Sequence, residues 1–233
     1  MTTLDYHHRR NELLTYFDRT AVDAWTSLTS TAPVSKIRAS VRAGRDKMRS
    51  TLLGFLPANL RARTILDAGC GTGALSVEAA HRGAHVVAID LSPTLVGLAE
   101  QRRPAQLHAG AIEFRVGDMF DPALGNFTHV VAMDSLIHYR EADVVQVLAG
   151  FAARTQHSIL FTFAPKTPAL TLMWVIGRTF PRRDRAPAIE PVSERSLRRR
   201  LARDPVLRHW RVGRTLRISS GFYKSQAMQL IKS

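Results

Sequence analysis

The sequence predicts an α/β domain built on a mostly parallel sheet. Two observations carry that reading: short β-branched runs alternate with helical patterns through the middle of the chain, and a glycine-rich turn stands where the first such run meets a helix. The runs are 64–66, 85–89, 111–116, 128–132 and 158–163. Between them, Leu75 to His81 reads as a helix, and Ser92 with Pro93 supplies an N-cap and a first-turn proline for another to Gln101. Glu141 to Ala153 is the next, with Val144, Val145, Leu148 and Phe151 on its buried face. After an irregular stretch come a helix over Ser193–Arg203 and two closing strands, Leu207–Val212 and Thr215–Tyr223.

The N-terminal part reads as two helices, 11–30 and 35–55. In the second, Ile37, Val41, Met48 and Leu52 share one face, and Arg38, Arg42, Arg45 and Arg49 form a stripe beside it. The expected organisation is therefore a helical arm or lid over residues 1–57. A domain over 58–233 follows, carrying a basic insertion near 165–205.

With 233 residues, 45% of them hydrophobic, the chain has material for a full core, which argues against intrinsic disorder. Its single cysteine, Cys70, excludes an intramolecular disulfide and a multi-thiolate zinc site. The charged start, with Asp5, His7, His8, Arg9 and Arg10, lacks the apolar stretch of a secretory signal, so a cytoplasmic setting is expected. The net charge of +14 is unevenly spread. Residues 51–177 hold nine basic and ten acidic side chains, whereas 178–217 hold thirteen arginines against four acids. Such a surplus suits nucleic acid, an anionic membrane or a polyanionic small molecule, and charge does not choose among them.

The turn Asp67-Ala68-Gly69-Cys70-Gly71-Thr72-Gly73 closes the first strand and opens a helix, where an α/β sheet binds nucleotides. Its Gly-x-Gly-x-Gly spacing differs from the Gly-x-Gly-x-x-Gly of dinucleotide sites. With Asp67 ahead of it, the loop resembles motif I of class I S-adenosylmethionine-dependent methyltransferases. That resemblance implies a seven-stranded Rossmann-like sheet with helices on both faces. It also implies a cofactor site for S-adenosyl-L-methionine, leaving S-adenosyl-L-homocysteine as product, with Gly69, Gly71 and Gly73 beside the methionine moiety and Asp67 facing its ammonium. Asp90, followed by Leu91, would take the ribose hydroxyls. After Gly117, Asp118 would meet the adenine amino group and Met119 its ring. Met133, Asp134 and Ser135 would line the methyl end.

Cys70 lies inside this loop and so does not fit a cytosine-C5 nucleophile, and Asp134-Ser135-Leu136-Ile137-His138 lacks the Pro-Pro-aromatic signature of amino-methylating nucleic-acid enzymes. The segments Tyr16-Phe17-Asp18-Arg19, Val34-Ser35-Lys36-Ile37-Arg38, Met133-Asp134-Ser135-Leu136-Ile137-His138-Tyr139 and Phe161-Thr162-Phe163-Ala164-Pro165, with the closing Gly221-Phe222-Tyr223, resemble the magnesium-protoporphyrin IX methyltransferases. The resemblance spans essentially the whole chain. It implies O-methylation of a propionate of Mg-protoporphyrin IX on the route to chlorophylls and bacteriochlorophylls, with magnesium belonging to the substrate and no metal bound by the protein. Tyr16 and His138 are then the expected catalytic pair, with Tyr16 also closing over the cofactor. Lys36, Arg38, Arg42, Arg45, His138, Tyr139, Met173 and Trp174 are the expected substrate contacts. A Mg-chelatase subunit and the anionic surface of the photosynthetic inner membrane are the further partners it implies, and no nucleic acid is expected. An RNA-modifying methyltransferase using the basic flanks is the alternative reading.

Overall fold

A computed structural model describes residues 36–107, 109–166 and 189–233. Tyr16, Met173, Trp174 and the helix expected over 11–30 lie outside them. The described chain runs α1 (Lys36–Phe55), β1 (Thr64–Ala68), α2 (Ala74–His81), β2 (His85–Asp90), α3 (Pro93–Gln101), β3 (Ala111–Val116), β4 (Phe127–Ala132), α4 (Glu141–Ala152), β5 (Thr155–Phe163), α5 (Glu194–Arg203), β6 (Trp210–Ser220) and β7 (Tyr223–Lys232).

These strands form one seven-stranded sheet in the order β3-β2-β1-β4-β5-β7-β6. β1 to β5 are mutually parallel, and β7 lies antiparallel between β5 and β6. Side chains alternate between two apolar clusters, as the two-residue period of a strand requires. In β1, Leu66 and Ala68 face the cluster that α4 and α5 cover, and Ile65 faces the cluster that α1 and α2 cover. In β5, Ile159, Phe161 and Phe163 face the first and Leu160 the second.

Helix α1 belongs to this second layer. Met48, Leu52 and Leu53 are fully buried in it, together with Ile218 and Ala227 of the closing hairpin. Burial of each of the three long side chains is worth about 1.5–3 kcal/mol, and residues 36–55 thereby pack into the core of the domain that follows. The expected apolar face of α1 is shorter than its sequence suggests: Ile37 is 54% exposed, because the hairpin tip that supports the helix meets it at Ser40. The C-terminal end of α1 is held by Arg214, whose guanidinium donates to the carbonyls of Gly54 and Phe55 and lies over the Phe55 ring.

The closing hairpin differs from the expected pair of strands. Gly213-Arg214, expected to separate them, is an irregularity within a continuous β6, and the turn is Gly221-Phe222, flanked by the pair Ser220 and Tyr223. Gly221 has φ +54°, and a Cβ there would stand 2.5 Å from Ser40 Oγ, so the turn and its contact with α1 both require glycine. The terminal strand, β7, thus contains residues that the sequence left unassigned.

The expected insertion leaves and rejoins the sheet at neighbouring points. Pro165 and Val192 form a parallel bridge, with Lys166 N–H donating to Val192 O and Val192 N–H to Ala164 O. Glu190 N–H donates to Ile137 O, which brings the returning chain beside the segment after β4.

Candidate functional site

Strand order reverses beside β1, with β2 on one side and β4 on the other, and the loops after β1 and β4 leave a crevice at the carboxyl ends of the strands. The glycine turn forms one wall. Gly69, Gly71 and Gly73 all have positive φ (82°, 54° and 76°), and the N–H groups of Gly69 and Cys70 donate to Ile89 O of β2. A Cβ on Gly69 would stand 2.5 Å from the Ser135 Cβ, whereas one on Gly71 would meet nothing within 4 Å. The turn therefore touches the β4 loop at Gly69 and faces open space at Gly71. Gly73 caps α2 without a side-chain hydrogen bond and packs on the Phe114 ring.

Asp67 is buried and takes a 2.5 Å hydrogen bond from Ser76 Oγ. Burial pushes its pKa up to about 7; the Ser76 hydroxyl opposes the shift and the negative charge of Asp90 adds to it. Asp90, at the end of β2, accepts from Gly71 N–H at 2.9 Å and from Ser92 N–H at 3.0 Å. Burial raises its pKa, against the stabilising N–H groups of Ser92, Gly71 and Leu91. The Leu91 backbone N–H thus meets the Asp90 carboxylate. Cys70 is a half-buried thiol packed against the α1 side of the core, and desolvation pushes its pKa well above its ordinary value, with Asp67 and Asp90 adding to the shift.

Gly117 N–H donates to Asp90 O, which places the loop after β3 beside the loop after β2. Asp118 Oδ1 accepts from Phe120 N–H at 2.9 Å, closing a turn, and Met119 packs against the α4 side of the core. Met133 is buried on the α1 side. Asp134 adopts φ +56°, a left-handed conformation that aspartate tolerates better than most residues. Its carboxylate meets Tyr223, Thr162, Ser225 and the Arg45 guanidinium. Ser135 Oγ is buried and, among the described residues, is the one such side-chain oxygen or nitrogen without a hydrogen-bond partner. It is an orphaned polar group beside the Gly69 turn.

His138 is buried in the segment after β4, and Tyr139 lies inside the α4 cluster with Val144 and Leu148. Lys36 and Arg38 are exposed on α1, Arg42 is half-buried, and Arg45 points at Asp134 with Nη1 3.3 Å from Oδ2. Thr162, Tyr223 and Ser225 escaped the sequence reading. Two of them lie on β7, where the Gly221-Phe222 turn sets the face of every residue.

A glycine turn whose Gly71 N–H meets the carboxylate at the end of β2, on a sheet whose β7 is antiparallel, defines a class I methyltransferase fold. The family described as methyltransferase domain matches residues 65–157, and the one described as magnesium-protoporphyrin IX methyltransferase C-terminus matches 132–232. The magnesium-protoporphyrin O-methyltransferase of Rhodobacter capsulatus is 47% identical over 226 residues, covering 97% of both chains, and the chain belongs to that family. The chloroplastic magnesium protoporphyrin IX methyltransferase of Arabidopsis thaliana is 30% identical, over 93% of this chain and 69% of its own. The crystal structure of magnesium protoporphyrin IX methyltransferase from Synechocystis PCC 6803 with bound S-adenosylhomocysteine superposes with a TM-score of 0.80. It is 27% identical over 96% of this chain and 100% of that one.

The raised pKa of Asp67 makes a pH-dependent prediction. Between about pH 4 and 7 the unfolded chain has lost this proton while the native chain keeps it, so raising pH favours unfolding. Asp67 therefore contributes stability in full below pH 3.8 and loses it as pH rises through about 7. Measured against Asp67→Asn by denaturant midpoints, the wild-type chain should lose ground from pH 4 to 7 and level off above. A difference that stays flat would mean that the carboxyl titrates normally.

Proposed function

We propose that this protein transfers the methyl group of S-adenosyl-L-methionine to a propionate carboxylate of Mg-protoporphyrin IX, giving the monomethyl ester. The observation that carries the reading is the whole-length similarity to the Rhodobacter capsulatus enzyme, joined to a glycine turn that faces open space at Gly71 and the unpartnered Ser135 Oγ beside it. When bound, S-adenosylmethionine supplies an electrophilic methyl on a sulfonium. A propionate titrates near pKa ~4 and is already ionised at neutral pH, so no strong general base is needed. What remains for the protein is alignment, exclusion of water and protection of the unreacted propionate.

In this reading Asp90 receives the ribose hydroxyls, its carboxylate held in place by the Gly71 and Ser92 N–H groups. Gly71 lets the chain approach the donor where a Cβ would intrude on the open space. Asp67 faces the donor's ammonium, and that positive charge favours the ionised carboxylate that burial disfavours. Gly69, Gly73, Gly117, Asp118, Met119, Met133 and Ser135 line the remainder. His138 pairs with the reacting propionate, and Tyr16, from the N-terminal segment, closes over the donor. Lys36, Arg38 and Arg42 hold the other propionate at the outer end of α1, since a guanidinium grips a carboxylate at two points. Met173 and Trp174 supply apolar wall for the macrocycle.

A membrane contact extends the proposal. Arg195, Arg199 and Arg203 are exposed and recur every turn along α5, while Leu197 and Leu201 anchor the opposite face in the core. This outward arginine row suits the headgroups of an anionic leaflet. No described helix is long and apolar enough to cross a membrane. A Mg-chelatase subunit as donor of the substrate rests on the family resemblance.

Labelled S-adenosylmethionine with Mg-protoporphyrin IX should give an alkali-labile methyl ester, with metal-free porphyrin and tRNA as controls. Label appearing in tRNA alone would sink the proposal in favour of RNA modification. In single-turnover kinetics at saturating donor, Tyr16→Phe and His138→Ala should each slow the chemical step by roughly 10²-fold, the cost of lost alignment. Wild-type rates in both would remove them from the catalytic centre. The protein should co-sediment with anionic vesicles and not with neutral ones, and Arg195→Glu with Arg199→Glu should abolish this without lowering turnover of soluble porphyrin. Equal sedimentation of that variant would place the membrane contact elsewhere.

A further inference from the structure

Asp134, two residues past the end of β4, does a different job from the residues around it. Tyr223 Oη donates to Asp134 Oδ1 at 3.0 Å and to Oδ2 at 3.2 Å. Thr162 Oγ1 donates to Oδ1 at 3.2 Å, Ser225 Oγ reaches it at 3.4 Å, and Arg45 Nη1 lies 3.3 Å from Oδ2. A carboxylate accepts at about four positions, and here three hydroxyls and a guanidinium occupy them. The same Thr162 oxygen accepts the Asp134 N–H at 2.7 Å, so main chain and side chain are fixed together. Tyr223 stays protonated and able to donate, because burial and the Asp134 charge both raise its pKa, opposed by Arg45.

The partners come from β5, β7 and α1, three elements far apart in sequence. The next residue carries Ser135 Oγ, buried and unpartnered, with its Cβ pressed on the Gly69 turn. We propose that Asp134 is a positioning residue: its buried knot fixes the loop after β4 so that Ser135 Oγ faces the methyl donor, and through Arg45 it locks α1 into the same arrangement. Asp134 itself does not touch the donor. The inference rests on the reading that S-adenosylmethionine occupies the crevice.

The φ of +56° offers a way to separate the knot from the backbone shape. Asp134→Gly suits that conformation at least as well as aspartate and keeps none of the side-chain bonds. A purely conformational role would leave this variant intact, whereas a knot would not survive it.

The test is calorimetric titration of the full chain with S-adenosylhomocysteine, run on wild type, Tyr223→Phe, Ser135→Ala and the double variant. Tyr223→Phe deletes one hydroxyl and should weaken binding by about tenfold, comparable to Ser135→Ala. The double variant should bind no more weakly than Ser135→Ala alone, because the knot acts through that hydroxyl. Asp134→Gly should lose at least as much affinity as Tyr223→Phe, and Asp134→Asn should recover part of it. Multiplied losses in the double variant, or wild-type affinity in Asp134→Gly, would overturn the proposal. Should Tyr223→Phe fail to fold, Arg45→Gln takes its place in the cycle with the same expectation. A wild-type chain that binds no S-adenosylhomocysteine overturns the cofactor reading and this proposal with it. A wild-type chain that binds, with losses that multiply, overturns this proposal alone.

Discussion

The architecture turns on the reversal of strand order beside β1. Right-handed crossovers carry the chain from β1 to β2 over one face and from β4 to β5 over the other, so the two outgoing loops diverge and leave a gap. A gap of this kind is useful only if its floor is closed. Here the floor is closed by a contact so tight that one partner must be glycine: Gly69 against the Ser135 Cβ. From that point the turn opens toward Gly71, and the ends of β2 and β3 bring Asp90 and Gly117 to the same rim.

Two carboxylates buried at this end of the sheet show how environment divides labour among like groups. Asp67 has one side-chain donor, Ser76, and the negative charge of Asp90 nearby, so water lost on burial is poorly replaced. Asp134 has four partners drawn from three elements. The first is prepared to accept a positive group, since a cation beside it would relieve the cost of its charge. The second has that cost met within the protein, which suits a fixed support.

Much of this was legible in the sequence. β1 to β5 announce themselves by β-branched runs between helical patterns, and the strand-end motifs Asp67 to Gly73, Asp90, Gly117-Asp118 and Met133 to Ser135 fall where the fold puts them. The closing hairpin was misread because Gly213 and Gly221 are both glycines in β-rich surroundings, and local sequence offers no ground for choosing between them. Packing decides: Ala227, Met228 and Leu230 need β7 to lie against β5, which moves the turn to Gly221. The Arg45, Thr162, Tyr223 and Ser225 grouping was invisible for a related reason. Each residue looks ordinary in its own segment, and only strand register brings them to one carboxylate. Ile37 fits the helical period of α1 yet stays exposed, because periodicity says which way a side chain faces and not whether anything lies opposite.

The parallel bridge between Pro165 and Val192 makes the chain depart and re-enter the fold side by side. Loop-closure entropy grows only with the logarithm of length once two ends are pinned together. The length of chain between these anchors can therefore change at little entropic cost to the pinned ends, and the re-entering chain is tied through Glu190 to Ile137, beside His138.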